Sequence, residues 1–173
     1  MSDARRVFLA LWPDDTTRGM LDEQAQHLDG PGRPVPRAHL HLTLAFAGTI
    51  SATQADCIAQ EIGTLEQEAF PLTLDRLGHF ERARVSWIGP SETPAALDTL
   101  AARARDLART CGATLEDHPF RPHVTLRRFA RPPERETPEH AIHWNATEVV
   151  LIESGQGGNP GAYQVLARVR FSS

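Results

Sequence analysis

The chain has 173 residues, 40% of them hydrophobic and 23% charged, the balance of one compact globular domain over residues 1–173 and not of a disordered or fibrous chain. All 18 basic residues are arginine, which excludes chemistries that need a lysine amine: Schiff-base catalysis, a phosphate-binding P-loop, and nucleic-acid ligation through a lysine-bound nucleotide. The formal net charge of −4 argues against long duplex DNA, which calls for an extended basic surface, but leaves room for a locally positive cleft.

The longest apolar runs, such as 7–12, are too short to span a bilayer, and the N-terminal residues show no signal-type pattern. A cytoplasmic protein that acts as a monomer and does not engage membranes is expected. Cys57 and Cys111 both fall in segments with helical character, so reduced structural thiols are expected and not a disulfide framework or cysteine zinc site.

In chain order, 5–12 reads as a buried strand, and a helix follows over 16–28. Residues 30–37, rich in Gly and Pro, form a loop. In 39–48, Leu40, Leu42, Leu44 and Phe46 alternate with His39, His41, Thr43 and Ala45, the period of a strand with one buried face. That alternation makes Phe46 a core residue, or a base-stacking platform if the strand twists at its end. Ser51 with Gln54 three residues on has the form of a capping box and opens a helix to about Ala69. Strands are expected at 71–80 and 84–89. Thr93 then caps a helix with Pro94 at its first position and Gly112 as its stop. A strand over 121–130 sets His123 and Thr125 opposite Val124 and Leu126, and two strands, near 147–153 and 163–171, flank a glycine-rich loop at 155–161.

This order contains a coarse duplication in which each half leads through a helix and a loop into a strand carrying His-x-Thr. The two tetrapeptides stand 82 positions apart. On a strand, residues i and i+2 share a face about 6.5–7 Å apart, so each pair offers an imidazole and a hydroxyl aimed together. There is no acidic residue from Gly30 to Ala55, nor from Arg121 to Arg131, and arginines stand in both windows. Two histidines titrating near pH 6.5 suit cleavage of a phosphate ester, one neutral to take a proton from water and one protonated to give it to the leaving oxygen. Threonine hydroxyls and an arginine suit the phosphoryl oxygens. His39 could complete an H-x-H metal pair with His41, but no neighbouring Asp, Glu or Cys fills out a ligand set. Arg121 is placed either at the cleft or in solvent, and His27, His79, His118, His140 and His143 read as surface or loop residues.

At these residues the sequence resembles the 2H phosphoesterases, in particular the RNA 2′,3′-cyclic phosphodiesterases once called 2′-5′ RNA ligases. The first signature stands as HLHLTLAFAG from His39 and the second as RPHVTLRR from Arg121. The likeness extends to RVFLALW from Arg6, VSWIG from Val85 and YQVL from Tyr163. It implies an α+β fold, bilobal and pseudo-symmetric, with two mostly antiparallel sheets flanking a central cleft and helices outside. It also implies that His41 is the proton donor, that His123 is the proton acceptor, that Thr43, Thr125 and Arg128 hold phosphate, and that no metal or cofactor takes part. The partners it implies are RNA ends or nucleotides with a 2′,3′-cyclic phosphate. Two departures are Ala47, where a larger aliphatic residue is usual, and Arg127, where a small one is; neither is expected to touch the chemistry.

The expected reaction is hydrolysis of a terminal 2′,3′-cyclic phosphate to a 2′-phosphomonoester. Two alternatives are a reversible 2′-5′ ligase or phosphodiesterase acting on another small cyclic phosphate, and a non-catalytic RNA-end binding module that uses the arginines alone.

Overall fold

The computed structural model describes residues 3–155 and 161–173, so most of the glycine-rich loop expected at 155–161 lies outside the described residues. β1 (Arg5–Leu11) leads into α1 (Asp15–His27), whose start is capped by Asp14, its carboxylate accepting from Thr17 N at 2.7 Å. A two-residue β2 (Arg33–Pro34) and a 3₁₀ turn (Arg37–His39) precede β3 (Leu42–Ile50). α2 (Ala52–Glu61) opens with the capping box of Ser51 and Gln54 and passes into a 3₁₀ turn at Ile62–Leu65, ending short of Ala69. The strand expected over 71–80 is two strands, β4 (Phe70–Leu74) and β5 (Arg76–Phe80), which lie in different sheets. β6 (Val85–Gly89), α3 (Ala95–Thr110), β7 (Val124–Arg128), β8 (Ile142–Ala146), β9 (Glu148–Ser154) and β10 (Tyr163–Arg170) complete the chain.

At the start of α3 the expected cap moves by one residue. Pro94 keeps an extended ψ of 140° and takes the cap position itself, its carbonyl accepting from Leu97 N and Asp98 N, so Thr93 caps nothing. β8 is an unexpected strand, although its Ile142, Trp144 and Ala146 are buried and alternate with exposed His143 and Asn145. It pairs antiparallel with β4 as a separate two-stranded sheet.

The main sheet has eight strands, antiparallel throughout, in the order β10-β9-β1-β3-β7-β6-β5 with β2 alongside β7. It divides into two lobes of four strands, joined between β3 and β7 by one registered pair, Leu42 with Val124. One face buries Leu42, Leu44, Val124 and Leu126 together with Leu21 of α1, Ile58 of α2 and Leu97 and Leu100 of α3. Helices therefore cover that face, and the other carries the motif side chains. A second small cluster, Phe8, Ala10, Val150 and Ile152 with Trp12, Tyr163 and Val165 packed on it, forms the floor beneath the first motif.

Cys57 of α2 and Cys111, just beyond α3, form a disulfide with Cα atoms 5.6 Å apart, which corrects the expectation of two reduced thiols. The reason is packing: α2 and α3 lie side by side under the same sheet face, a proximity that helical periodicity does not reveal.

Candidate active site

Both motif histidines stand one residue ahead of a strand: His41 before Leu42 of β3, His123 before Val124 of β7. The strand expected from 39 does not reach back that far. Pro36 directs the chain into the 3₁₀ turn, where Pro36 O accepts from His39 N at 2.8 Å and Arg37 O from Leu40 N at 3.3 Å. His39 reaches the cleft from the end of that turn, its ring stacked on Tyr163 with centroids 4.1 Å apart.

The antiparallel pair Leu42–Val124 sets position 41 across from 125 and 43 across from 123, so each imidazole confronts the other motif's threonine. His41, Thr43, His123, Thr125 and Arg128 all line one cleft of about 1050 Å³. Five residues expected at the site, from positions far apart in the chain, are thus brought to one place by the fold. Arg6, Arg33, Phe46 and Phe129 also line it, and no carboxylate does among the described residues.

The two rings are held alike. His41 Nδ1–H donates to His39 O at 2.6 Å, and His123 Nδ1–H donates to Arg121 O at 2.7 Å, in each case the carbonyl two residues back. With the proton placed on Nδ1 by that network, Nε2 of each neutral ring is the acceptor. Thr43 Oγ1 lies 3.1 Å from His41 Nε2 and donates to it. Arg121 thus serves through its backbone, and its exposed side chain stays outside the cleft.

Aromatic rings seat both histidines. Phe8 stacks on His41 with centroids 4.8 Å apart, Trp12 lies 6.4 Å away and Tyr163 presents its edge at 5.9 Å. Phe80 meets His123 edge-on at 4.8 Å, with Trp87 at 6.2 Å. Loss of hydration in these seats pushes His41 down to about 4; its hydrogen bond to His39 opposes this, and His123, Arg128 and Arg18 add repulsion. His123 is also lowered, chiefly by burial, against the bond to Arg121. Both rings are therefore neutral at pH 7 in the unliganded protein.

Two arginines outside the motif roles shape the approach to His41. Arg18 of α1 is buried, lies over the Trp12 ring at 4.6 Å and donates from Nη1 to Arg37 O at 2.7 Å and Leu40 O at 2.9 Å. It pins the turn that supplies the His39 carbonyl to His41. Arg127 donates to four carbonyls, those of Leu28, Gly30, Pro31 and Gly32, at 3.0 to 3.1 Å, and so ties that loop to β7. This departure, expected not to touch the chemistry, is a structural clamp. Arg37, in contrast, turns away to Asp15 O and is not at the cleft.

Phe46 corrects its sequence assignment. It is 45% exposed and lines the cleft under Arg6, whose guanidinium lies 4.8 Å from the ring centroid. The β1–β3 register passes from Leu9–Ala45 to Ala10–Thr43 and skips Leu44, so a bulge reverses the alternation beyond it. Arg6, Phe8 and Trp12 were legible in principle: Arg6, Phe8 and Ala10 of β1, and Trp12 just after it, alternate with the helix-facing Val7, Leu9 and Leu11.

Against known proteins, residues 13–158 match the model of the 2′-5′ RNA ligase superfamily. The chain is 35% identical over 173 residues to a protein of Escherichia coli K12 named RNA 2′,3′-cyclic phosphodiesterase, an alignment covering 97% of each chain. It is 30% identical over 112 residues to one of the same name from Aeropyrum pernix, covering 63% of this chain and 64% of the other. The crystal structure of E. coli LigT complexed with 3′-AMP superposes with a TM-score of 0.88 at 31% identity, over 98% of this chain and 99% of that one. The chain belongs to the 2′-5′ RNA ligase superfamily of 2H phosphoesterases, with their α+β bilobal fold.

Proposed function

We propose that the protein is a phosphodiesterase that hydrolyses the terminal 2′,3′-cyclic phosphate of RNA to a 2′-phosphomonoester, as a single catalytic unit over residues 1–173 built of two like lobes. The observation that carries this reading is the pair of equivalently held imidazoles, each opposite the other motif's threonine in a cleft lined by arginines. The name of the E. coli relative supports it.

In the proposed reaction the cyclic phosphate lies between the motifs, its free oxygens held by Thr43, Thr125 and Arg128. Water attacks phosphorus in line with the O3′ bond as His123 takes its proton at Nε2. The P–O3′ bond breaks, and His41 gives its Nε2 proton to O3′. The phosphate remains on O2′, and solvent returns the proton from His123 to His41. A group pushed down to about 4 holds no proton to give at pH 7 until the substrate's negative charge arrives, so binding the anion loads His41 with its proton. No metal or cofactor is invoked for these steps. The superfamily's name favours a second use of the site: a 5′-hydroxyl in place of water would attack the same phosphorus and leave a 2′-5′ link.

The protein is proposed to work as a monomer in the cytoplasm; no helix among the described residues is long and apolar enough to cross a membrane. The test is turnover of an oligonucleotide ending in a 2′,3′-cyclic phosphate. His41→Ala and His123→Ala are each expected to lower kcat by at least about 10²-fold, and activity to survive chelation. Near-normal turnover in either variant would remove that histidine from its role.

A further inference from the structure

The described residues contain two non-glycine positions with a left-handed backbone, Arg84 (φ 58°) and Phe129 (φ 55°). They are 45 positions apart in sequence and meet at one place. Arg84 ends the turn between β5 and β6, and Phe129 follows β7; Ala130 N donates to Arg84 O at 2.9 Å, and the Arg84 guanidinium lies over the Phe129 ring at 5.5 Å. Arg33 lies over the same ring, also at 5.5 Å, from the cleft side.

The loop that carries Arg33 is held against β7 more closely than any side chain at position 32 would allow. Gly32 has φ +91°, and a Cβ there would meet Arg128 O at 2.0 Å. Arg33 pairs with Arg128, and Arg127 binds the carbonyls before it. Strained non-glycine backbone concentrates where a ligand is held, and here the two such positions among the described residues meet at one ring. That ring is 50% exposed. With Phe46, which lies beyond the first motif, it completes the large hydrophobic side chains exposed among the described residues.

We propose that Phe129, flanked by Arg33 and Arg84, is a second nucleotide subsite, which stacks the base of the nucleotide preceding the cyclic-phosphate end while Arg33 takes the phosphate that links the two. Arg33 and Arg84 are both exposed side chains. Base stacking on an aromatic ring is stronger than a solvent-exposed cation–π contact, so a base displaces one guanidinium from the ring, and the freed charge serves the nearby phosphate. A cleft of about 1050 Å³ also has room beyond one nucleotide, since pockets for whole drug-sized ligands span roughly 300–1,000 Å³. The preferred substrate is then an RNA end of at least two nucleotides and not a free cyclic mononucleotide.

This rests on the proposed function, and calorimetric binding separates the two. A mononucleotide 2′-phosphate and a dinucleotide carrying the same 2′-phosphate end are titrated into wild type, Phe129→Ala, Phe129→Tyr and Arg33→Ala. Alanine at a left-handed position carries the same backbone strain as phenylalanine, so Phe129→Ala isolates the ring. The dinucleotide is expected to bind wild type roughly 5- to 100-fold more tightly than the mononucleotide, an advantage lost in Phe129→Ala, reduced in Arg33→Ala and retained in Phe129→Tyr. Equal binding of the two ligands by wild type, or an undiminished ratio in Phe129→Ala, would overturn the subsite. Failure of wild type to turn over any cyclic end, with the ratio intact, would count against the reaction and leave the subsite standing.

Discussion

Phe46 and Arg128 occupy the same position relative to their histidines, five residues on, and both reach the cleft because the strand before each is bulged. Leu44 is skipped in the pairing of β3 with β1, and Leu126 in the pairing of β7 with β6. In each motif strand the bulge falls three residues after the histidine, and it turns onto the cleft face a residue that strict alternation would bury. The repeat is thus symmetric in backbone and asymmetric in chemistry: one lobe presents an aromatic ring where the other presents a cation. In the proposed reaction this asymmetry gives the site a direction, with the phosphate held toward Arg128 and away from Phe46 and Arg6.

Arg128→Ala is therefore expected to reduce kcat/KM for a cyclic-phosphate substrate by roughly 10²- to 10³-fold, the scale seen when one preorganised donor to a developing charge is removed. Arg128→Lys should recover little of this, because an ammonium cannot replace a planar fork of donors. Steady-state kinetics of the two variants decide the matter; a lysine variant close to wild type would mean that charge alone is needed.

The low affinity of His41 for protons predicts a proton taken up as substrate or product binds. Titration of a nucleotide 2′-phosphate at pH 7, in buffers of different ionisation enthalpy, should show net uptake that disappears in His41→Asn. Binding without proton uptake would leave His41 without a source for its acid function.

The same shift affects stability. An unfolded histidine titrates near 6.5 and folded His41 near 4, so between these values the unfolded chain holds more protons. The stability present above about pH 6.5 is lost as pH falls toward 4, with an upper bound of about 3 kcal/mol from this group because it is not wholly shielded from solvent. Urea unfolding of wild type and His41→Asn at pH 7.5 and 4.5 tests this: the variant should lose less stability on acidification. Parallel losses would show that the ring is not proton-averse in the fold.

Arg18 is expected to matter through geometry. Arg18→Lys keeps the charge but cannot bind both Arg37 O and Leu40 O while lying flat on Trp12. It should lower kcat by about 10-fold or more with a smaller change in KM, since the turn that orients His41 loosens while the phosphate ligands stay in place. A change in KM alone would place Arg18 among substrate contacts instead.

The disulfide closes a span of 54 positions, a constraint that chain entropy values at about 4 kcal/mol. Reduction, or Cys57→Ser with Cys111→Ser, should lower Tm on the order of 10 °C and leave turnover little changed, because the bridge lies among helices on the face away from the cleft. Thermal melts with a thiol count check this; two free thiols in unreduced native protein would contradict it.

Much of the site was legible because its residues obey local rules. The alternation around His41 and His123, the capping box at Ser51 and the glycine stop after α3 are each decided within a few residues of sequence. Tertiary contacts decided what was missed. Bulges at Leu44 and Leu126 depend on the neighbouring strands, so alternation misplaced Phe46, and only the family resemblance pointed to Arg128. The clamps by Arg18 and Arg127 bind backbone carbonyls, which carry no sequence signature, and the Cys57–Cys111 bridge needs two helices packed together.

In the proposed reaction a fixed acid and a fixed base stand on opposite sides of the scissile phosphorus, and the product's regiochemistry tests this most directly. Phosphorus NMR of a dinucleotide with a 2′,3′-cyclic end, followed during turnover against authentic 2′- and 3′-monophosphates, should show the 2′-phosphomonoester as the dominant product. A mainly 3′-phosphate product would reverse the roles of His41 and His123, and an equal mixture would contradict a positioned acid–base pair.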